Sequence, residues 1–244
     1  EFPLSLMADL RAVVTGASSG IGRALTLEIC RAGGRVLGVA RSEGALLELK
    51  RQLGDRFDYV RADLSKLEEL DRVVEGARAF LGSVDVLVNN AGFGLYKGVL
   101  EHSEDELLSM TLVNFVSPIV LTRKLLPLMH EGSTVVNVIT AGIHVLMTRL
   151  PIYGATKIAF HYASKAIERE LKLKGIKVVT VYPGSVLTEF HARAGGAAPK
   201  WGTVTAEEVS KEILKAVRKG KSKVYVPGYV SLLRVFGPHL PPLY

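Results

Sequence analysis

The stretch that most constrains this chain is Thr15-Gly16-Ala17-Ser18-Ser19-Gly20-Ile21-Gly22. An apolar run, Leu10 to Val14, leads into it, and an apolar-periodic stretch, Ile21 to Ala32, leads out. Strand, glycine-rich turn and helix in that order put a helix N-terminus where a phosphate can sit. Glycine lets the backbone turn sharply and approach a ligand closely, and Ser18 and Ser19 add hydroxyl donors. The spacing is Gly-x-x-x-Gly-x-Gly, not the Gly-x-Gly-x-x-Gly dinucleotide fingerprint. No Gly-Lys-Ser/Thr ending follows, so it is not a P-loop. Taken alone, the loop also fits a tight turn that holds nothing.

Beyond it the chain alternates strand and helix. Strands are expected at 10–15, 35–40, 57–61, 84–88, 134–139, 177–182 and 223–226. Helices are expected at 20–32, 42–53, a stretch ending near 81, 103–130 with Pro118 as a kink, 152–174 and 206–218. Ser103 with Glu106 forms a capping box. This pattern predicts an α/β chain, one domain over 7–244, with a doubly wound parallel sheet of about seven strands flanked by helices. Glu1 to Leu6 precede Met7, read as the natural start, and stay outside the fold argument.

Composition narrows the function. Formal charge is +7, but the basic residues are spread out, with one denser group at Arg218, Lys219, Lys221 and Lys223 and no interleaved aromatics. That group reads as a solvated turn, and no nucleic-acid partner is expected. Cys30, the one cysteine, falls on an apolar helix face and reads as a packed thiol. No His/Asp/Glu set has metal-ligand spacing, so no metal is expected. The start carries no basic and apolar leader, and the apolar 227–244 tail is broken by Pro227, Gly228 and Arg234. The expectation is a cytoplasmic protein without membrane association. One glutamine, Gln52, and four asparagines suggest a heat-adapted source.

In such sheets ligands bind outside the carboxyl ends of the strands. Those ends carry the glycine loop, Ala40-Arg41, Asp63-Leu64, Asn89-Asn90-Ala91-Gly92, Thr140-Ala141-Gly142 and Pro183-Gly184. Arg41, with no carboxylate at Ala40, favours a 2′-phosphate over a free ribose hydroxyl, hence NADP(H). Tyr153 and Lys157 share a helix face at i and i+4. A lysine beside a phenol favours phenolate. Working at neutral pH needs roughly three units of lowering, about 4 kcal/mol, which one lysine does not supply alone.

Together these residues resemble the short-chain dehydrogenase/reductase family. The resemblance runs from about residue 9 to 190 and is carried by the Thr15–Gly22 loop, Asp63, Asn89-Asn90-Ala91-Gly92, Asn114, Tyr153 with Lys157, and Pro183-Gly184 with Thr188. It implies a Rossmann fold with Asn114, Thr140, Tyr153 and Lys157 as the catalytic set. Tyr153 would be the general acid/base, Lys157 would hold the nicotinamide ribose, and Asn114 would support a relay water at a local helix break. Gly16, Ser18, Ser19, Gly20, Ile21 and Gly22 would cradle the phosphates. Asp63 and Leu64 would touch adenine, with Asn90, Ala91 and Gly92 along the ribose. Pro183, Gly184, Val186 and Thr188 would meet the carboxamide. Thr140 replaces the family's serine, keeping a hydroxyl but adding a stiffening methyl. The end of the chain lacks the Gly-Gly region of the family's acyl-carrier-protein reductases.

Phe93, Leu95, Ile143, Val145, Leu146, Met147, Leu150, Val186, Leu187, Phe190 and Trp201 are expected around the pocket, with His144 and His191 at its mouth. The substrate loop would be 186–205. The reading is an NADP(H)-dependent oxidoreductase for a small apolar ketone, aldehyde or secondary alcohol, assembled as a homodimer or homotetramer through the 103–130 and 152–174 helices. A steroid, retinoid or acyl-group dehydrogenase is the same-class alternative. A non-catalytic NADP-binding sensor is the rival from another class.

Overall fold

The computed structural model describes residues 8–196 and 203–240. The main sheet has seven parallel strands: β1 (Arg11–Thr15), β2 (Arg35–Ala40), β3 (Phe57–Arg61), β4 (Val84–Asn89), β5 (Met129–Val138), β6 (Lys177–Pro183) and β9 (Lys223–Val226). Their order is β3-β2-β1-β4-β5-β6-β9, with the reversal beside β1 that leaves a crevice at the carboxyl ends. A two-stranded ribbon, β7 (Ser185–Val186) with β8 (Thr203–Val204), sits apart. This is a single-domain Rossmann-type architecture.

The strands are apolar on both faces, as a sheet covered by helices requires. Val14, Val36, Val88, Val136 and Val179 face a core shared with Leu25 and Ile29 of α1 (Gly20–Arg31), Leu46 of α2 (Glu43–Leu53) and Ile213 of α8 (Ala206–Lys219). Val13, Leu37, Leu87, Val135 and Val178 face the other core. There they meet Val73 of α3 (Leu70–Leu81), Leu121 of α5 (Ser117–Leu125) and Leu171 of α6 (Pro151–Lys172). Cys30 is buried, and desolvation pushes its thiol up to about 12.

The expected 103–130 helix is three pieces. α4 (Glu104–Thr111) starts at the capping box, where Ser103 Oγ accepts from the Glu106 amide. A π turn, Leu112–Val116, interrupts it before α5, which carries Pro118 at its start. The helix ends at Leu125 because Pro127 cannot continue the hydrogen-bond ladder and a 3-10 turn, Leu126–Leu128, follows. By length and composition 104–128 could cross a membrane; here it lies along the sheet with Met110, Leu121 and Leu125 in the core. β5 begins at Met129, earlier than 134: Met129 pairs with Val84, the chain bulges through Gly132 (φ +90°), and pairing resumes at Thr134 with Val86. The apolar tail forms helical turns at Gly228–Leu232, α9 (Leu233–Phe236) and Gly237–His239, anchored by buried Val230. α7 (Phe190–Arg193) lies within 186–205, the expected substrate loop. Trp201, residues 1–7, 197–202 and 241–244 fall outside the described residues.

Candidate active site

A cleft of about 350 Å³ opens at the carboxyl ends of the central strands. Gly16, Ser19, Gly20 and Ile21 wall one end, and Asn90, Ala91 and Gly92 form its floor. The two loops are tied by one side chain: Thr15 Oγ1 accepts from the amides of Asn90 and Ala91, both at 3.0 Å. Asn90 Nδ2 returns a bond to the Thr15 carbonyl at 3.0 Å, so its amide builds the turn. Gly22 sits behind the loop, where a Cβ would lie 2.2 Å from the Gly16 carbonyl oxygen. Ser18 is half-buried beside it.

Thr140, Tyr153 and Lys157 line the same cleft. Thr140 Oγ1 caps the 3-10 turn Ala141–His144 by accepting from the Gly142 amide at 3.1 Å. Its proton faces the Pro183 carbonyl at a long 3.5 Å, so this hydroxyl is oriented as a donor with a weak present acceptor. The Tyr153 ring packs on Phe190, centroids 5.1 Å apart, and Lys157 Nζ lies 5.8 Å from its centroid. Lys157 is 3% exposed and donates to the Val138 carbonyl at 3.0 Å. Desolvation lowers it to about 8. An ammonium has three protons, and a Cβ on Gly92 would come within 3.2 Å of this one. That space, bordered by a buried cation with one protein acceptor, fits the ribose hydroxyls of a nicotinamide nucleotide.

Asn114 stands in the π turn, at the break expected for it. Its Oδ1 accepts from the Phe93 amide at 3.0 Å, and Nδ2 donates to the Phe93 carbonyl at 2.9 Å and Thr156 Oγ1 at 3.1 Å. The amide clamps the loop after β4 onto α6. Leu64, expected against adenine, is buried in the core. Asp63 stands with Arg41 in a second cavity of about 370 Å³, beside Arg61, Lys66, Glu69 and Arg72. Burial pushes the Asp63 carboxyl up, but the Ser65 amide and hydroxyl, with Arg41 and Lys66, outweigh it and leave it below the usual range. Arg41 borders both cavities.

At the substrate end Pro183, Gly184, Val186 and Thr188 line the cleft as expected, as do Phe93, Leu95, Val145, Met147, Leu150 and Phe190. Ile143 packs instead in a core under the tail, and Leu146 and Leu187 point to solvent. His144 is not at the mouth: its Nε2 meets the Tyr225 hydroxyl at 3.0 Å beneath the tail. Val230 and Leu233 of the tail line the cleft and were missed from the sequence, although their i,i+3 spacing marks one helical face. Glu189 and Arg193, an ion pair, were also missed, and Arg193 reaches Ser19 Oγ at 3.2 Å across the opening.

Comparisons with known proteins bear on the family and the fold. The family model for short chain dehydrogenase matches residues 11–197. An uncharacterized oxidoreductase of Staphylococcus aureus is 30% identical over 221 residues, 89% of this chain and 95% of the relative. A short chain dehydrogenase/reductase from Burkholderia phymatum, solved with NAD, superposes with a TM-score of 0.87 at 21% identity over 100% of both chains. A short-chain dehydrogenase from Sphingobium yanoikuyae, solved with NADPH, gives 0.81 at 24% identity, covering 91% of this chain and 90% of that one. At those identities the two structures speak for the fold.

Proposed function

This chain belongs to the short chain dehydrogenase family, and from that premise we propose that it is an NADP(H)-dependent oxidoreductase acting on an apolar ketone, aldehyde or secondary alcohol. The observation that carries the reading is one cleft wall holding two hydroxyls, Thr140 and Tyr153, beside the buried ammonium of Lys157. The bound nicotinamide supplies or accepts the hydride. Thr140 donates a hydrogen bond to the carbonyl oxygen, exchanging its 3.5 Å contact with Pro183 for a shorter one. Tyr153 gives that oxygen its proton during reduction and takes it back during oxidation. Lys157 holds the ribose and, as a cation beside the phenol, favours its ionised form. The apolar walls exclude water and select the substrate. NADPH oxidation measured over a panel of ketones and aldehydes tests this. Tight NADPH binding with no turnover of any carbonyl would instead favour a cofactor-binding sensor.

The choice of NADP(H) rests on Arg41, which borders the cleft and the cationic cavity with Arg61, Lys66 and Arg72. Ala40 stands where a carboxylate would bind a free ribose hydroxyl. NADP is expected to bind at least about tenfold more tightly than NAD, about 1.4 kcal/mol. Arg41→Ala should remove most of that margin with little change for NAD. Equal affinities in the parent chain, read by titration, would overturn the assignment.

The assembly is a homodimer or homotetramer through the 103–130 and 152–174 helices, here α4 with α5, and α6. Of the apolar residues of α6, Phe160 is buried and Ile167 packs against the core, so neither is free for a contact face. The face is marked by Tyr162 (78% exposed), Leu108 (62%) and Ile158 (49%), apolar side chains left to solvent in a monomer. Light scattering at micromolar concentration should give two or four chain masses. A monomer mass would refute it.

A further inference from the structure

We propose that Ser185 determines specificity in this cleft by seating a second oxygen of the substrate, a hydroxyl carried by an otherwise apolar ketone. The inference rests on the reductase reading above. The substrate walls are apolar, built from residues such as Phe93, Leu95, Met147 and Phe190. Into them is set a polar chain. Ser185 Oγ lies 3.1 Å from His191 Nε2, and His191 Nδ1 lies 2.8 Å from the Tyr96 hydroxyl. Ser185 and His191 both line the cleft, and His191 is only 9% exposed.

Polar groups placed in an apolar wall cost free energy that hydrogen bonds only offset. Tying the two loops together does not require them, because the Tyr96 amide already donates to the Ala194 carbonyl at 2.8 Å. Burial lowers the His191 pKa, which keeps the imidazole neutral near pH 7. A neutral imidazole has one N–H. If it is on Nε2, it donates to Ser185 Oγ and leaves the serine proton for the cleft. If it is on Nδ1, Ser185 donates to Nε2 and leaves its oxygen lone pairs for the cleft. A hydroxyl on the ligand answers both states, since it accepts in the first and donates in the second. His191 acts through Ser185 as a positioning residue. Ser185 lies two residues beyond Pro183, whose carbonyl faces the Thr140 hydroxyl. Two residues of extended chain span roughly 7 Å, so the second oxygen belongs a few carbons from the reacting carbonyl.

The test uses matched pairs of alkyl ketones, each pair differing only in a hydroxyl placed two to five carbons from the carbonyl. The parent enzyme should favour the hydroxylated member of at least one pair by roughly tenfold in kcat/KM, through KM. Ser185→Ala should bring that ratio close to one, and Ser185→Thr, which keeps the hydroxyl, should hold most of it. His191→Phe, a ring without nitrogens, should lower the ratio by raising KM for the hydroxylated member more than for the plain one. Calorimetry of the same pairs on the enzyme–NADP complex reads the ratio as affinities and needs no turnover. Loss of all turnover overturns the reductase reading. Equal affinity within every pair, or a ratio that Ser185→Ala leaves intact, overturns this one.

Discussion

Tyr153→Phe is expected to lose a hundred- to ten-thousand-fold of turnover while binding NADPH as the parent does, because a positioned general acid contributes on that scale. The ring should keep its place, since its contact with the Phe190 ring, centroids 5.1 Å apart, is one that phenylalanine also makes. The loss should therefore fall on kcat and not on cofactor affinity. Thr140 provides the companion measurement. Its oxygen is already held by the Gly142 amide and its proton points at a distant carbonyl, so the substrate oxygen can take that proton without breaking a good bond. Thr140→Ser should keep most activity. Thr140→Val should lose it by an amount on the order of 3 kcal/mol, the cost of one donor to a developing oxyanion. Retained turnover in Tyr153→Phe would overturn the mechanism. Equal turnover for threonine and valine at 140 would reduce that residue to packing.

What the chain discloses before folding, and what it withholds, follows from how local each signal is. The strands and the helices at their backs were legible because the periods of two and 3.6 are local and the sheet buries both faces. The cleft-lining residues were legible because many sit in short contiguous loops at strand ends, the glycine loop and Asn90-Ala91-Gly92 among them. The break of the 104–125 helix was not readable from hydropathy, since Leu112–Val116 is as apolar as its neighbours. The tail was illegible for a different reason. Its turns are held by Val230 and Leu233 against the cleft and by Gly237, where a Cβ would sit 2.1 Å from the His144 carbonyl oxygen. Those contacts join residues far apart in sequence, as does the bond between Tyr96 and His191.

Lys157→Met should abolish most activity and change the stability of the fold in a pH-dependent way, which separates the functional cost of this lysine from its structural one. The ammonium is 3% exposed, and no carboxylate pairs with it among the described residues. Burial lowers its pKa from 10.5 to about 8. The sign follows from linkage: the unfolded chain binds this proton more tightly than the native one, so native stability rises with pH between about 8 and 10.5. Below pH 8 the full penalty is present, about 3 kcal/mol at 1.36 kcal/mol per unit. Methionine matches the length of the lysine stem and carries no charge, but it leaves the Val138 carbonyl unpaired at roughly 1–3 kcal/mol. The variant should therefore be about as stable as the parent at pH 7, or more stable by up to about 2 kcal/mol. The parent should then gain on it by about 3 kcal/mol as the pH rises to 10.5. Other titrating groups are common to both proteins and cancel in the difference. NADP should stabilise the parent more than the variant, because the ribose would meet the ammonium only in the parent. Urea unfolding of both proteins at pH 7 and pH 10, with and without NADP, measures all of this. A stability difference that does not move with pH would mean that the lysine is not a strained buried cation, and with that its assignment as the group waiting for the ribose would fall.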